Sequence, residues 1–324
     1  MRNTISSLQL SLLGTFILFA PFITLAHVKW FAESTETVRP YQLTDLPVIF
    51  SIFFVIVALL VGVFLEKKLE VPRWYNNLIQ QTAPVILSLA SIGFGLSFLI
   101  FSYNGFVFAP NLQVESVNSI LLIVQALAGL MILLGLYERL GGFLLIVLYL
   151  LAVSRFGFVE MMDTLEMVGF AFYAMIIGRP KWKIAESQFM RTLTHPFHQY
   201  GVSILRIGIG LNLIILGFSE KILKPSLTHN FLSTYDWNFM HNLGFTWFTD
   251  YWFAYAGGVV EALFGLFFLF GLVTRISVVA LAVFLVTTLI LLGPVELMGH
   301  LPHFSIALVL LVFGAGSRMH MKKK

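Results

Sequence analysis

"GGVVEALFGLFFLFGLVTR", residues 257–275, is a run of apolar and small residues interrupted by one acid, Glu261. A helix needs roughly 20 such residues to cross a bilayer, and this stretch has that length. A carboxylate at the centre of a membrane helix costs on the order of 2.5–3.5 kcal/mol, so Glu261 requires a partner or a purpose.

The whole chain has the same character. Of its 324 residues 58% are apolar and 11% charged, with a mean hydropathy of +0.90. Soluble domains run nearer half apolar and a quarter charged. Apolar runs predict helices over residues 8–26, 46–65, 84–103, 119–137, 141–157, 164–178, 201–219, 251–272, 276–292 and 303–316. The expected fold is therefore all-α and polytopic, with about ten transmembrane helices. Residues 8–26 also admit a second reading as a signal peptide, with "TLA" before His27 as a poor cleavage site.

Charge placement orients these spans. With the amino terminus in the cytoplasm, fourteen of the twenty lysines and arginines fall on cytoplasmic segments, among them Arg73, Arg139, Arg275 and the "KKK" tail. That bias is the positive-inside pattern and predicts both termini in the cytoplasm of a bacterial-type inner membrane. The outer segments are acidic, with Glu160, Asp163, Asp236, Asp250 and Glu296. The net charge of +4 is dispersed between hydrophobic segments, which argues against nucleic-acid binding. Absent cysteines exclude disulfides, thiolate metal sites and a dithiol relay within the chain. No nucleotide-binding or nucleophile motif stands out, and no histidine pair is placed to ligate haem.

An internal repeat organises the carboxy-terminal three quarters. "SILRIGIGLNLIILGFSEKILKPSL", residues 203–227, aligns with "SLASIGFGLSFLIFSYNGFVFAPNL" 115 positions earlier. "VQALAGLMILLGLYER" precedes its twin in the opening stretch by 136 positions, aligning Gly129 with Gly265, Gly135 with Gly271, and Arg139 with Arg275. The implied domains are a two-helix extension (1–80), a first four-helix bundle (81–180) and a second (181–324) with an outer loop at 220–250, the bundles being parallel repeats. Arg206, Glu220, Lys221 and Glu261 of the second copy stand where the first has Ser91, Gly105, Phe106 and Gln125. The scaffold does not need those charges, so the second copy is the candidate working site.

"LRIGIGLNLIILGFSEKILKP" followed by "VVEALFGLFFLFGLVTR" resembles the DoxX family of small four-helix membrane proteins. The family includes the DoxD-type subunit of thiosulfate:quinone oxidoreductase. The matching positions are Arg206, Gly210, Gly217, Lys221, Glu261, Gly265, Gly271 and Arg275; the resemblance weakens over copy one and does not reach the first 80 residues. It implies membrane-bound redox work, coupled to quinone in some members.

The expected site follows. Glu261 and Arg206 lie on glycine-lined faces of consecutive antiparallel helices, offset by roughly 9 Å in depth, and are expected to pair. The catalytic candidates are Glu261, Arg206, Lys221 and His300; the quinone-binding candidates are Arg206, Asn212, Glu261 and Arg275. In "ELMGHLPHF", His300 and His303 do not form a metal signature, and neither metal nor haem is predicted. The favoured function is the membrane subunit of a quinone-linked oxidoreductase, with electrons from an outer-side redox protein. A small-solute transporter or channel using a midplane Glu, and a scaffold docking other proteins, are the rival readings.

Overall fold

The computed structural model describes residues 38–114, 120–178, 184–235, 237–293 and 295–320. The helix expected at 8–26, its signal-peptide alternative, His27 and Asp236 lie outside the described residues, as does the Glu296 side chain. The described fold is all-α. Its principal helices are α1 (Leu46–Lys68), α2 (Arg73–Tyr103), α3 (Ile120–Leu134), α4 (Glu138–Phe156), α5 (Leu165–Ile176) and α6 (Gly201–Leu216). They continue with α7 (Pro225–Tyr235), α8 (Asp250–Phe270), α9 (Thr274–Leu292) and α10 (Val295–Phe313). Five helical segments are long and apolar enough to cross a membrane, and three further apolar helices are shorter. The protein is a multi-pass membrane protein.

Two helix starts depart from expectation: α10 begins at Val295 rather than near residue 303, and α2 shifts further. α2 starts at Arg73 rather than near residue 84, although Pro84 falls inside it. The added turns are polar and amphipathic, and they are anchored at the basic end, where the Tyr75 hydroxyl donates to the Leu311 carbonyl. Proline removes one donor, and one lost bond does not end a helix held by tertiary contacts on both sides of it.

The helices α2–α5 and α6, α8–α10 form two sets that share one core. Phe94, Phe98, Phe170, Leu205, Phe268 and Ile306 all belong to it. Each helix packs on the next, α5 packs on α6, and α10 returns to α2 to close the circuit. Close contacts recur at the offsets of the sequence repeat. A Cβ on Gly95 would lie 2.6 Å from the Gly129 carbonyl oxygen, and one on Gly210 would lie 2.8 Å from that of Gly265. Between the sets, Gly208 of α6 meets Gly169 of α5, and Gly93 of α2 meets Ser305 of α10. Small residues at these crossings let backbones touch, which is how helices associate where burial from water supplies no driving force.

The turns correspond as well. Gly135 (φ 69°) and Gly271 (φ 68°) are left-handed, each followed two residues later by a strained non-glycine, Tyr137 (φ 49°) and Val273 (φ 40°). The sets differ in tightness. α3 and α4 pack closely, with Gly141 against α3 and Gly142 against α5, whereas α8 and α9 make far less contact. Ser277 and Val278 hold the matching positions in α9.

Among the described helices α1 packs chiefly on α8, through Val48, Tyr255 and Val259. Its outer flank, with Phe50, Phe53 and Phe54, is exposed, as a lipid-facing helix requires. The outer loop expected at 220–250 contains a compact helical cap. Phe231 and Leu232 of α7 pack with Ala254 and Phe253 of α8, so the cap rests on the ends of α6 and α8.

Candidate functional site

α6 does not end as a regular helix. Its last turn, Gly217–Ile222, is π-helical, with one extra residue per turn. Gly217 lies against the Gly258 carbonyl, and a Cβ on Gly258 would come within 2.9 Å of the Lys221 Cβ. The widened turn and the two bare glycines set Lys221 directly beside α8. Its Nζ lies 2.7 Å from Glu261 Oε2, and the side chains are 18% and 22% exposed. Glu261 is the twelfth of the 21 residues of α8, hence near its middle.

The pairing of Glu261 with Arg206 does not form. Arg206 is fully buried at the basic end, and its guanidinium is spent on backbone carbonyls. Nε donates to Ala315, Nη1 to Phe268 and Leu269, and Nη2 to Met319. A planar fork of donors suits the orphan carbonyls at a helix end, and a cation there opposes the negative end of the helix dipole. Facing glycine-lined faces were a sound premise, but the roughly 9 Å offset in depth leaves Arg206 beside α8's own carboxy terminus, whose carbonyls take it.

Arg275 has the same occupation. It donates from Nε to Leu311 and from Nη2 to Val312, and its cation lies 5.6 Å from the Tyr75 ring. Arg139 repeats this in the first set, bonding the carbonyls of Met175, Ile176 and Ile177, with Glu186 and Thr194. Two residues expected to bind quinone are thus engaged as helix caps.

Asn212 and His300 also lie apart from the pair. α6 shows Gly210 to α8 and Gly208 to α5, and Asn212, four residues beyond Gly208, shares the α5 face. Its carboxamide is fully buried, with neither polar atom hydrogen-bonded. His300 lies on the α9 side, its Nδ1 3.5 Å from Thr288 Oγ1 and its ring 6.0 Å from that of His303. The structure therefore brings together two of the expected site residues, Lys221 and Glu261.

The first set shows what the pair replaces. Gln125, matching Glu261, is fully buried beside Phe106, which matches Lys221. Its Oε1 accepts from the Phe108 amide, and its Nε2 donates to the Phe106 carbonyl and Ser102 Oγ. The same two positions touch in both sets, once through a neutral amide and once through an ion pair. Their joint replacement in copy one was the legible signal, but Arg206 and Ser91 gave an identical one.

Residues 201–294 match the DoxX family model. This segment is similar to the DoxX domain. The match takes in α6, the π-helical turn, the cap, α8 and α9, so both Lys221 and Glu261 lie within the matched segment. No curated protein and no solved structure matches the chain.

Proposed function

We propose that this protein, DoxX-like over residues 201–294, is the membrane subunit of a quinone-linked oxidoreductase, with the Lys221–Glu261 pair handling quinone or its protons. The observation that carries the reading is an ion pair at mid-helix depth where the corresponding positions of the first set make do with a neutral amide. A structural contact would be satisfied by the amide, so the charges have another use. In this reading Lys221 would donate a hydrogen bond to a quinone carbonyl oxygen, and the protonated Glu261 would pass that oxygen one of the two protons the quinone takes up as the partner's electrons reduce it to quinol. The loose packing of α8 on α9 supports access from the bilayer, where quinones dissolve. The two sets would be domains at 81–180 and 181–324, with the basic end cytoplasmic and a redox protein at the acidic outer end supplying electrons. Glu261→Gln and Lys221→Met in native membranes are expected to lower quinol turnover by about a hundredfold or more. Turnover at the wild-type rate in both variants would remove the reading.

A further inference from the structure

A second buried polar site lies at the seam between the two sets. The segment leading into α5 is broken: a short helix, Phe158–Met161, passes through a 3-10 turn, Met162–Thr164, before α5 begins. The corresponding stretch of the second set runs unbroken as α10. α6 packs along this turn. Gly208 lies against Gly169 and the Leu165 carbonyl, so one turn further along α6 Asn212 reaches the depth of the 3-10 turn and Glu166.

Three polar atoms remain unsatisfied there: Glu166 Oε2, Asn212 Oδ1 and Asn212 Nδ2. Glu166 is 1% exposed and Asn212 is not exposed at all. Among the described residues no cation pairs with Glu166. The titratable groups in electrostatic range of Glu166 are Asp163 in the turn and Tyr149 on α4. Burying an unpaired carboxylate is far costlier than burying a neutral group, and unsatisfied buried atoms commonly mark a guest. The equivalent seam, where α2 meets α10, lacks this chemistry. Ser97 replaces Asn212 and bonds its own helix at Gly93, and Pro302 replaces Glu166.

We propose that Glu166 and Asn212 hold a monovalent cation, sodium or a hydrated proton, against the Met162–Thr164 turn. Oxygen donors suit such hard ions, and no group of three potential metal ligands occurs among the described residues, which disfavours a divalent centre. The site is independent of the Lys221–Glu261 pair.

Thermal unfolding of the full chain in detergent, in sodium chloride against choline chloride at equal ionic strength, tests it. Sodium should raise the Tm of the wild type and of Glu261→Gln but not that of Glu166→Gln. Asn212→Leu should weaken the apparent sodium affinity roughly tenfold or more. A rise on acidification without sodium dependence, lost in Glu166→Gln, assigns the hydrated proton instead. If Glu166→Gln does not fold, broadening of the sodium NMR signal by wild-type protein, weakened in Asn212→Ser, supports the site. Wild type and variants responding alike to sodium and to acid, or no broadening together with no acid response, overturns it.

Discussion

The two sets of four helices solve one packing problem with different chemistry. Both cross α2–α3 or α6–α8 at paired glycines, both turn through a left-handed glycine, and both cap their last helix with an arginine from the third. They part at one contact. Gln125 closes its neighbourhood with hydrogen bonds to backbone, while Glu261 meets Lys221 across a π-helical turn. They also part in density, because the two glycines of α4 give way to Ser277 and Val278 in α9. The first set is the better frame, and the second has room and charge. Shared geometry with divergent charge separates what folding needs from what it tolerates.

The largest break in this comparison should come from the arginine cap that the second set adds, Arg206 standing where the first set has Ser91. Arg206→Met strips donors from four carbonyls at the basic end and should cost about 3–5 kcal/mol, seen as a large drop in thermal stability in detergent. Arg206→Lys should recover only part of it, since an ammonium cannot reproduce the planar fork. Full stability in Arg206→Met would deny the cap its role.

Next comes the contact where the sets part. Gln125→Glu places a carboxylate where the first set offers no lysine, and should destabilise by about 3 kcal/mol. Adding Phe106→Lys should restore part of that loss if the two positions are geometrically equivalent, and a double-mutant cycle reads the coupling. Additive losses would break the equivalence.

A smaller loss is expected at the glycine crossings. Gly210→Ala drives a methyl into the Gly265 carbonyl and Leu269 amide and should cost about 1–3 kcal/mol, with Gly95→Ala matching it. A large difference between the two would show that the sets tolerate strain differently. The smallest effect is at the turns, where Gly271→Ala or Gly135→Ala should cost about 1 kcal/mol for the left-handed backbone. At Gly271 it should be greater, because a Cβ there would lie 2.7 Å from Arg206 Nη1.

Much of the fold was legible because the membrane imposes one rule, satisfied backbone within an apolar sleeve, and apolar length reports it directly. The helices expected at 46–65, 251–272 and 276–292 appear with shifts of a few residues at their ends. The site was only half legible. Glu261 and Lys221 were both recognisable as charges missing from the first copy, yet their pairing was not, because a regular helix through residue 221 carries no sign of an extra residue per turn. Arg206 was misassigned because helix-end carbonyls are invisible in a side-chain reading. Asn212 was counted among the quinone-binding candidates, although its four-residue spacing from Gly208 already placed it on the α5 face.

Composition and periodicity by themselves determined that this chain lives in a bilayer, that its helices come in two similar sets, and that a few charges are in excess of what packing requires. Only the tertiary structure decided which charges meet. Side-chain partners depend on the register of neighbouring helices, and that register is set by glycine crossings and by one widened turn.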